Sequence, residues 1–127
     1  MRSIMRVVIG LVGLLNVALG LGFLLAPAKM AQGFFLLPVG SQGLATLRAD
    51  FTGFFLGAAT FALFGAWRAD PRPLLVPLVM LGLALAGRSF SLIVDGVGPD
   101  AIAPMVIELV MLVLLVAARR SFAAGAR

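Results

Sequence analysis

The sequence predicts an all-α integral membrane protein, a four-helix bundle with both termini on the cytoplasmic side. Of its 127 residues, 62% are hydrophobic and only 12% are charged, and the mean hydropathy is +1.16. Four apolar stretches fill nearly the whole chain, and each is near the roughly 20 residues that a spanning helix needs. A chain of this length is expected to form one domain. We therefore interpret residues 1–127 as a single four-span transmembrane domain.

The four predicted spans are separated by segments that contain proline, glycine or charged residues. Span one has a basic start, as a signal peptide does, but its apolar run is longer than the roughly 7–15 residues of a signal-peptide core. Three further spans follow it, which favours a retained helix over a cleaved one. Spans one to four are predicted at Ile4–Ala26, Leu44–Trp67, Leu74–Val94 and Ile102–Ala118.

Span one is expected to pack closely against a neighbouring helix. Glycine recurs along it, and small residues let helix backbones approach each other within a membrane. Asn16, near the middle of the span, is predicted to make a hydrogen bond to another helix. The glycines are Gly10, Gly13, Gly20 and Gly22.

The segment 27–43, between spans one and two, is the longest interruption. Its apolar run Phe34–Leu37 is too short to cross a bilayer and is bracketed by glycine and proline. Two arrangements are consistent with it: a short amphipathic helix in the outer interface, or a fold back over the mouth of the bundle. The loop Arg68–Pro73 is shorter and contains two prolines, so spans two and three are predicted to form an antiparallel hairpin.

The placement of charge predicts the orientation in the membrane. The net charge is +5 and the pI about 11.7, but the basic residues cluster between alternate spans, so we expect the lipid bilayer and no nucleic acid as partner. Cytoplasmic loops are enriched in Lys and Arg. With four crossings every basic cluster falls on one side, which predicts an N-in, C-in topology. The clusters are Arg2 and Arg6, then Arg68 and Arg72, then Arg119, Arg120 and Arg127.

The composition excludes several kinds of chemistry. The chain has no Cys and no His, which rules out thiol redox chemistry, disulfides, zinc–thiolate sites and haem ligation by His. It also contains no Gly-rich phosphate loop, no metal-ligand spacing and no nucleophile with a histidine base. We therefore predict no catalytic residue, no metal site and no cofactor. The residues leave open whether the chain is a subunit of an enzyme complex. They favour no enzymatic activity of the chain alone.

Five ionisable side chains lie inside, or at the mouth of, the predicted spans. A charge at mid-bilayer costs about 3 kcal/mol on insertion scales, so such residues usually face a partner or a wet cavity. All five fall in the outer half of the bundle, where Arg88 and Glu108 share a depth of about two helical turns. We predict that these two side chains meet directly or through one water. The candidate ligand-binding residues are Arg48, Asp50, Arg88, Asp95 and Glu108.

Span two carries a Gly-x-x-x-Gly pattern at Gly53 and Gly57, on the same helical stripe as Asp50. Such a pattern is typical either of a dimerisation face or of close packing within one chain. A carboxylate on a lipid-facing seam would be costly, so we predict close packing within the chain.

Several short motifs resemble a known family. They run from Arg48 to Gly53 (RADFTG) and from Gly87 to Leu92 (GRSFSL), followed by Asp95-Gly96 and by Glu108 in the last span. Together they resemble a bacterial family of small four-helix membrane proteins defined only as a domain of unknown function, which is similar to the DoxX-like group. The resemblance covers nearly the whole chain, although Asp50 replaces the aromatic or apolar residue more usual in the family. It implies a four-helix protein of the bacterial inner (plasma) membrane, and the DoxX-like group includes subunits associated with quinone-linked oxidation and proteins that assist other membrane proteins.

The function most consistent with these residues is binding in a polar pocket that opens outward. The expected ligand is an amphipathic small molecule, such as a lipid headgroup or a quinone, held by a binding or accessory protein. One alternative is a quinone-docking subunit of a membrane oxidoreductase, whose partner protein supplies the redox centre. A second is a structural or assembly partner of another membrane protein, in which the charges only fix helix register. Movement of protons or ions along the charges is a third.

Overall fold

The computed structural model describes residues 1–125. Within that range the chain forms six α-helices and no strand, and four of the helical rods are long and apolar enough to cross a membrane. The predicted all-α, four-span architecture is confirmed for this range. The helices are α1 (Arg2–Leu25), α2 (Pro27–Gly33), α3 (Gly40–Thr46), α4 (Thr52–Arg68), α5 (Leu75–Val94) and α6 (Ile102–Ala124), and a π-helical turn at Leu47–Phe51 joins α3 and α4 into one rod.

The four long helices form a ring, in which α1 and α5 each pack against both α4 and α6. The contact between α1 and α4 is the most extensive, because glycines of α1 face leucines of α4. A Cβ atom on Gly13 would lie 2.6 Å from Leu63 Cγ, and one on Gly20 would lie 2.6 Å from Leu56 Cγ. The expected close packing of span one is therefore confirmed at these two positions.

The start of α1, the α4–α5 turn and the end of α6 lie together at one end of the bundle. Arg2 donates hydrogen bonds to the carbonyl oxygens of Ala69 (3.3 Å) and Gly125 (3.2 Å), so one side chain joins all three segments. Arg119 reaches the same turn and donates to Pro71 O at 3.1 Å. We call this the arginine end. Arg127 lies outside the described residues, and the described arginines of this end are Arg2, Arg6, Arg68, Arg72, Arg119 and Arg120.

Arginines at this end satisfy carbonyl groups that helices leave unpaired. The last four carbonyls of an α-helix have no partner within the helix. Arg6 donates to Ala66 O (3.0 Å) and Trp67 O (2.9 Å) in the final turn of α4. A basic side chain near a helix C-terminus is also favoured by the helix dipole, so the charges that predict topology also cap helices.

The segment 27–43 folds back over the opposite end, which we call the loop end. The Phe34 ring lies 5.1 Å from the ring of Phe23, 5.8 Å from that of Phe55 and 6.2 Å from that of Phe51, centroid to centroid. Phe23 is fully buried, so this aromatic cluster closes the bundle. Of the two predicted arrangements, Phe34 adopts the one in which the segment folds over the mouth of the bundle. Leu37, in contrast, is exposed.

The prediction that Asn16 bonds to another helix is wrong. Asn16 is buried, but its Nδ2 donates to Val12 O one turn earlier in α1, at 2.9 Å, a bond of the side chain to the backbone of its own helix. Thr52 makes a bond between α4 and α1 instead, since its hydroxyl donates to Gly20 O at 3.4 Å.

The prediction that Gly53 and Gly57 pack closely within the chain is also wrong. In the described part of the chain, a Cβ on Gly53 would meet no atom within 4 Å, and one on Gly57 would meet only Met80 Cε, at 3.8 Å. Helices α4 and α5 are packed less tightly than α4 and α1, and a cavity lies between them near Asp50. The glycines that permit close contact are those of α1.

Helix α6 continues past the predicted end at Ala118 to Ala124. The prediction stopped at the Arg119–Arg120 pair, but one face of the helix remains apolar beyond it. Phe122 on that face is fully buried and packs in one core cluster with Ile9 and Leu74. Burial of this ring explains the extra turns.

Candidate functional site

An ion pair joins α5 to α6 inside the bundle. Arg88 Nε donates to Glu108 Oε1 at 2.8 Å, and no other ion pair occurs within residues 1–125. Arg88 lies about two turns before the end of α5, and Glu108 about two turns after the start of α6. Because these helices are antiparallel neighbours, the two side chains are level. The predicted contact is confirmed, and it is direct.

One oxygen of this pair has no partner. The Glu108 side chain is 12% exposed, and its Oε2 is fully buried without a hydrogen-bond donor among the described residues. A buried polar atom left unpaired costs about 1–3 kcal/mol. Most buried polar atoms are paired in native structures, and an exception calls for an explanation such as a ligand or water. The protein alone therefore satisfies this carboxylate only in part.

Arg48 lies within the π-helical turn Leu47–Phe51. Such a turn shifts the side chains after it relative to an uninterrupted α-helix and is frequent at functional sites. Leu47 is buried, whereas Arg48 reaches the end of α1 and donates through Nε to Leu24 O at 3.1 Å. Arg48 is therefore a cap on α1, and its guanidinium is not part of the Arg88–Glu108 pair.

The two predicted aspartates have different surroundings. Asp50 is exposed, forms no ion pair within the described range, and lines a cavity together with Arg88. Asp95 follows the last residue of α5, where its Oδ2 accepts a hydrogen bond of 2.6 Å from the Ser91 hydroxyl. Asp50 thus shares a cavity with Arg88, whereas Asp95 remains at the end of its helix.

Arg88 lies between two cavities that are lined mainly by apolar side chains. The smaller, about 320 Å³, lies between α4 and α5 and includes Asp50. The larger, about 460 Å³, lies between α1, the folded-back segment and α6, and includes Asp100. Phe34, Phe55 and Arg88 line both cavities. The apolar lining of the larger one includes Leu15, Leu19, Ala103, Pro104, Ile107 and Met111.

Of the five predicted residues, Asp50 and Arg88 line a cavity, and Glu108 is paired with Arg88 but lines neither cavity. The remaining two, Arg48 and Asp95, serve helix ends. Sequence reasoning missed the aromatic lining. The signal for this lining in the sequence is the grouping of phenylalanines in span two and in the folded-back segment. They are Phe34, Phe51, Phe54 and Phe55.

The arrangement is suited to holding an amphipathic molecule. Arg88 uses only Nε toward Glu108, so its terminal nitrogens remain donors with no acceptor among residues 1–125. Glu108 Oε2 also lacks a donor in this range, but Glu108 lines neither cavity. In the same range no group of three acidic side chains is close enough to hold a metal ion. A head group that can hydrogen-bond, attached to a hydrocarbon part, matches this combination of polar and apolar surfaces.

Comparison of the chain with protein-family models, with curated proteins and with solved structures finds no match. Function must therefore be argued from the site itself, because a helical bundle alone does not specify an activity.

Proposed function

We propose that the chain is a multi-pass protein of a bacterial inner membrane that binds an amphipathic molecule beside Arg88. The head group of the ligand accepts hydrogen bonds from the Arg88 guanidinium, and its apolar part occupies the larger cavity. The loop end faces outward, so the ligand enters from the outer half of the membrane. The chain acts as a binding or accessory protein rather than as an enzyme on its own.

One observation carries this proposal: Arg88, an arginine within a predicted span, lines two mainly apolar cavities. Ionisable residues within a membrane are expensive and usually mark a ligand or ion pathway. The terminal nitrogens of the Arg88 guanidinium have no acceptor among the described residues, and the larger cavity has a volume of about 460 Å³. That volume falls in the range of small-molecule sites, which are about 300–1,000 Å³.

Two ligand classes fit the chemistry of the head-group site. Arg88 is paired with Glu108 at 2.8 Å, so the ligand need not supply a negative charge. A quinone carbonyl and a lipid phosphate or ester oxygen are both acceptors for the free guanidinium nitrogens. A quinone would support the role of a docking subunit beside a redox partner, and a lipid would support an accessory role.

The main competing account is a structural network that fixes helix register. It requires internal pairing of the donors and acceptors, and Glu108 Oε2 departs from that requirement within the described range. Membership of the DoxX-like group stays a prediction that rests on the motifs.

The test is ligand binding to a variant in which the larger cavity is filled. Ala103 lines that cavity, whereas Ala86, an equally exposed alanine of α5, lines neither cavity. We expect Ala103→Phe to weaken binding of decylubiquinone or of phosphatidylethanolamine about tenfold, which corresponds to about 1.4 kcal/mol. Native mass spectrometry of the delipidated protein, titrated with each probe separately, measures the loss and identifies the preferred class.

Ala86→Phe is the matched control, since it adds the same ring to an apolar helix surface. It is expected to bind as the unaltered chain does. Equal binding of both probes by Ala103→Phe, Ala86→Phe and the unaltered chain would contradict the proposal.

A further inference from the structure

The arginine end carries positive charge with almost no compensating acid. Among residues 1–125 it holds six arginines and a single acidic residue, Asp70. Within that range, none of these arginines has a carboxylate oxygen within 4 Å. Asp70 accepts a hydrogen bond of 2.9 Å from the backbone N–H of Arg72, and not from a guanidinium. Carboxylates of the described residues therefore leave the charge of this end uncompensated.

Two of the arginines lie side by side over a groove. Arg119 uses Nε for Pro71 O, which leaves its terminal nitrogens without an acceptor in the described range. Arg120 is exposed and makes no side-chain hydrogen bond there. Both are at the rim of a cavity of about 330 Å³ that also includes Val116.

An apolar groove runs from this basic rim toward the middle of the bundle. A second cavity, of about 520 Å³, shares Val116 and Arg120 with the first. Its other walls come from the start of α1 and from the exposed face of α6, through Met1, Met5, Leu112, Val113, Ala117 and Ser121. The two cavities adjoin at Val116 and Arg120 and together form one open surface groove, with arginine side chains at one end and apolar side chains along its length.

We propose that this surface, which we call the Arg119–Arg120 groove, binds one anionic phospholipid. The lipid phosphate accepts hydrogen bonds from Arg119 and Arg120, which suit phosphate because guanidinium donors match its oxygens in pairs. An acyl chain lies along Val113, Val116 and Leu112. Basic pockets between membrane helices on the cytoplasmic side are known to hold anionic head groups. The site is at the opposite end from Arg88 and does not depend on the ligand proposed there.

The same end supplies a matched control pair. Arg68 and Arg72 carry the same charge, but neither lines the groove. The Arg68 guanidinium carbon lies 5.5 Å from the Phe64 ring centroid and 5.9 Å from that of Trp67. Removing this pair changes the net charge as much as removing Arg119 and Arg120, but leaves the groove unchanged.

The experiment titrates the delipidated protein in neutral detergent with phosphatidylglycerol or phosphatidylcholine of identical acyl chains. Native mass spectrometry counts the retained lipid. The unaltered chain is expected to retain phosphatidylglycerol in preference to phosphatidylcholine. Arg119→Gln/Arg120→Gln should weaken retention of phosphatidylglycerol about 30-fold, as follows from about 1 kcal/mol for each basic residue near an anionic surface.

Arg68→Gln/Arg72→Gln is expected to retain phosphatidylglycerol nearly as the unaltered chain does. An equal loss in this control would overturn the proposal, since it would show that the overall positive charge of this end, and not the groove, retains the lipid. Absence of any preference for phosphatidylglycerol in the unaltered chain would do the same.

Arg119 also holds the α4–α5 turn, so Arg120→Gln alone provides a second measurement, with an expected loss of about fivefold. No loss in that variant would remove Arg120 from the site.

Discussion

The arginines of this chain differ in what they donate to, and that difference separates Arg88 from the rest. Backbone carbonyls at helix ends and turns accept the hydrogen bonds of Arg2, Arg6, Arg48 and Arg119. These carbonyls are neutral, so capping leaves the charge of each guanidinium in place. Arg88 alone, within residues 1–125, has a carboxylate within 4 Å. Its loss would leave the mostly buried Glu108 carboxylate without its cation.

We therefore expect Arg88→Ala to lower the free energy of unfolding by about 1–3 kcal/mol, because Glu108, 12% exposed, loses its partner, whereas Arg88 itself is 41% exposed. Arg72→Ala, at an exposed arginine whose side chain makes no bond to the described residues, should change it by less than about 0.5 kcal/mol. Unfolding titrations in mixed micelles measure both. The double variant Arg88→Met/Glu108→Leu should be more stable than Arg88→Ala, because it leaves no unpaired charge.

A similar loss of stability in Arg88→Ala and Arg72→Ala would mean that Glu108 is solvated without Arg88. The Arg88–Glu108 ion pair would then contribute nothing measurable to the stability of the fold.

Sequence reasoning reached the Arg88–Glu108 pair because both residues can be placed by counting from the ends of their spans. Arg48 could not be assigned in the same way. Its acceptor, Leu24 O, is a backbone carbonyl, and every residue carries one, so residue types give no signal for a cap of this kind. Arg48 also lies within the π-helical turn, which has no simple signature in the sequence.

At the scale of helices, the α1–α4 contact is the one most sensitive to side-chain size. A Cβ on Gly20 would lie 2.6 Å from Leu56 Cγ and 3.2 Å from Leu56 N, so both a side chain and the backbone of α4 stand in the way. Without a hydrophobic force between helices in lipid, close packing of this kind carries much of the association.

Substitution of Gly20 by Val should therefore destabilise the bundle by about 1–3 kcal/mol, the usual range for overpacking. Gly10→Val is the control within the same helix, because a Cβ there would meet no described atom within 4 Å. Both variants introduce the same β-branched residue in α1, so their difference in stability isolates the contact. Equal unfolding midpoints for the two would refute the assignment of Gly20 to a close contact.

Hydropathy predicted the spans because each long helix must be apolar over its whole length to cross a bilayer. It could not predict which glycines make contact, since a Gly-x-x-x-Gly pattern does not name its partner helix. Gly53 and Gly57 show the ambiguity, because they fit the pattern and yet meet little. The predicted end of α6 is also too early. Arg119 and Arg120 lower the local hydropathy, whereas Phe122 extends the buried face of the helix beyond them.

The whole molecule has two unlike ends. The arginine end joins the start of α1, the α4–α5 turn and the end of α6. The loop end holds the folded-back segment and the α5–α6 turn, with the Arg88 cavities beneath them. Both proposals depend on one claim, that the chain crosses the membrane four times with its arginine end in the cytoplasm. Basic loops remain cytoplasmic in most membrane proteins, which supports that orientation.

Labelling of single cysteines tests this claim most directly, because the chain has no Cys of its own. Ser3→Cys and Asp70→Cys mark the arginine end, and Ser41→Cys and Gly98→Cys mark the loop end. In intact cells of a bacterial host, a membrane-impermeant maleimide should label only Ser41→Cys and Gly98→Cys, and the other two should react after the membrane is permeabilised. Labelling of Asp70→Cys in intact cells, or protection of Gly98→Cys, would contradict the topology and with it the placement of both proposed sites.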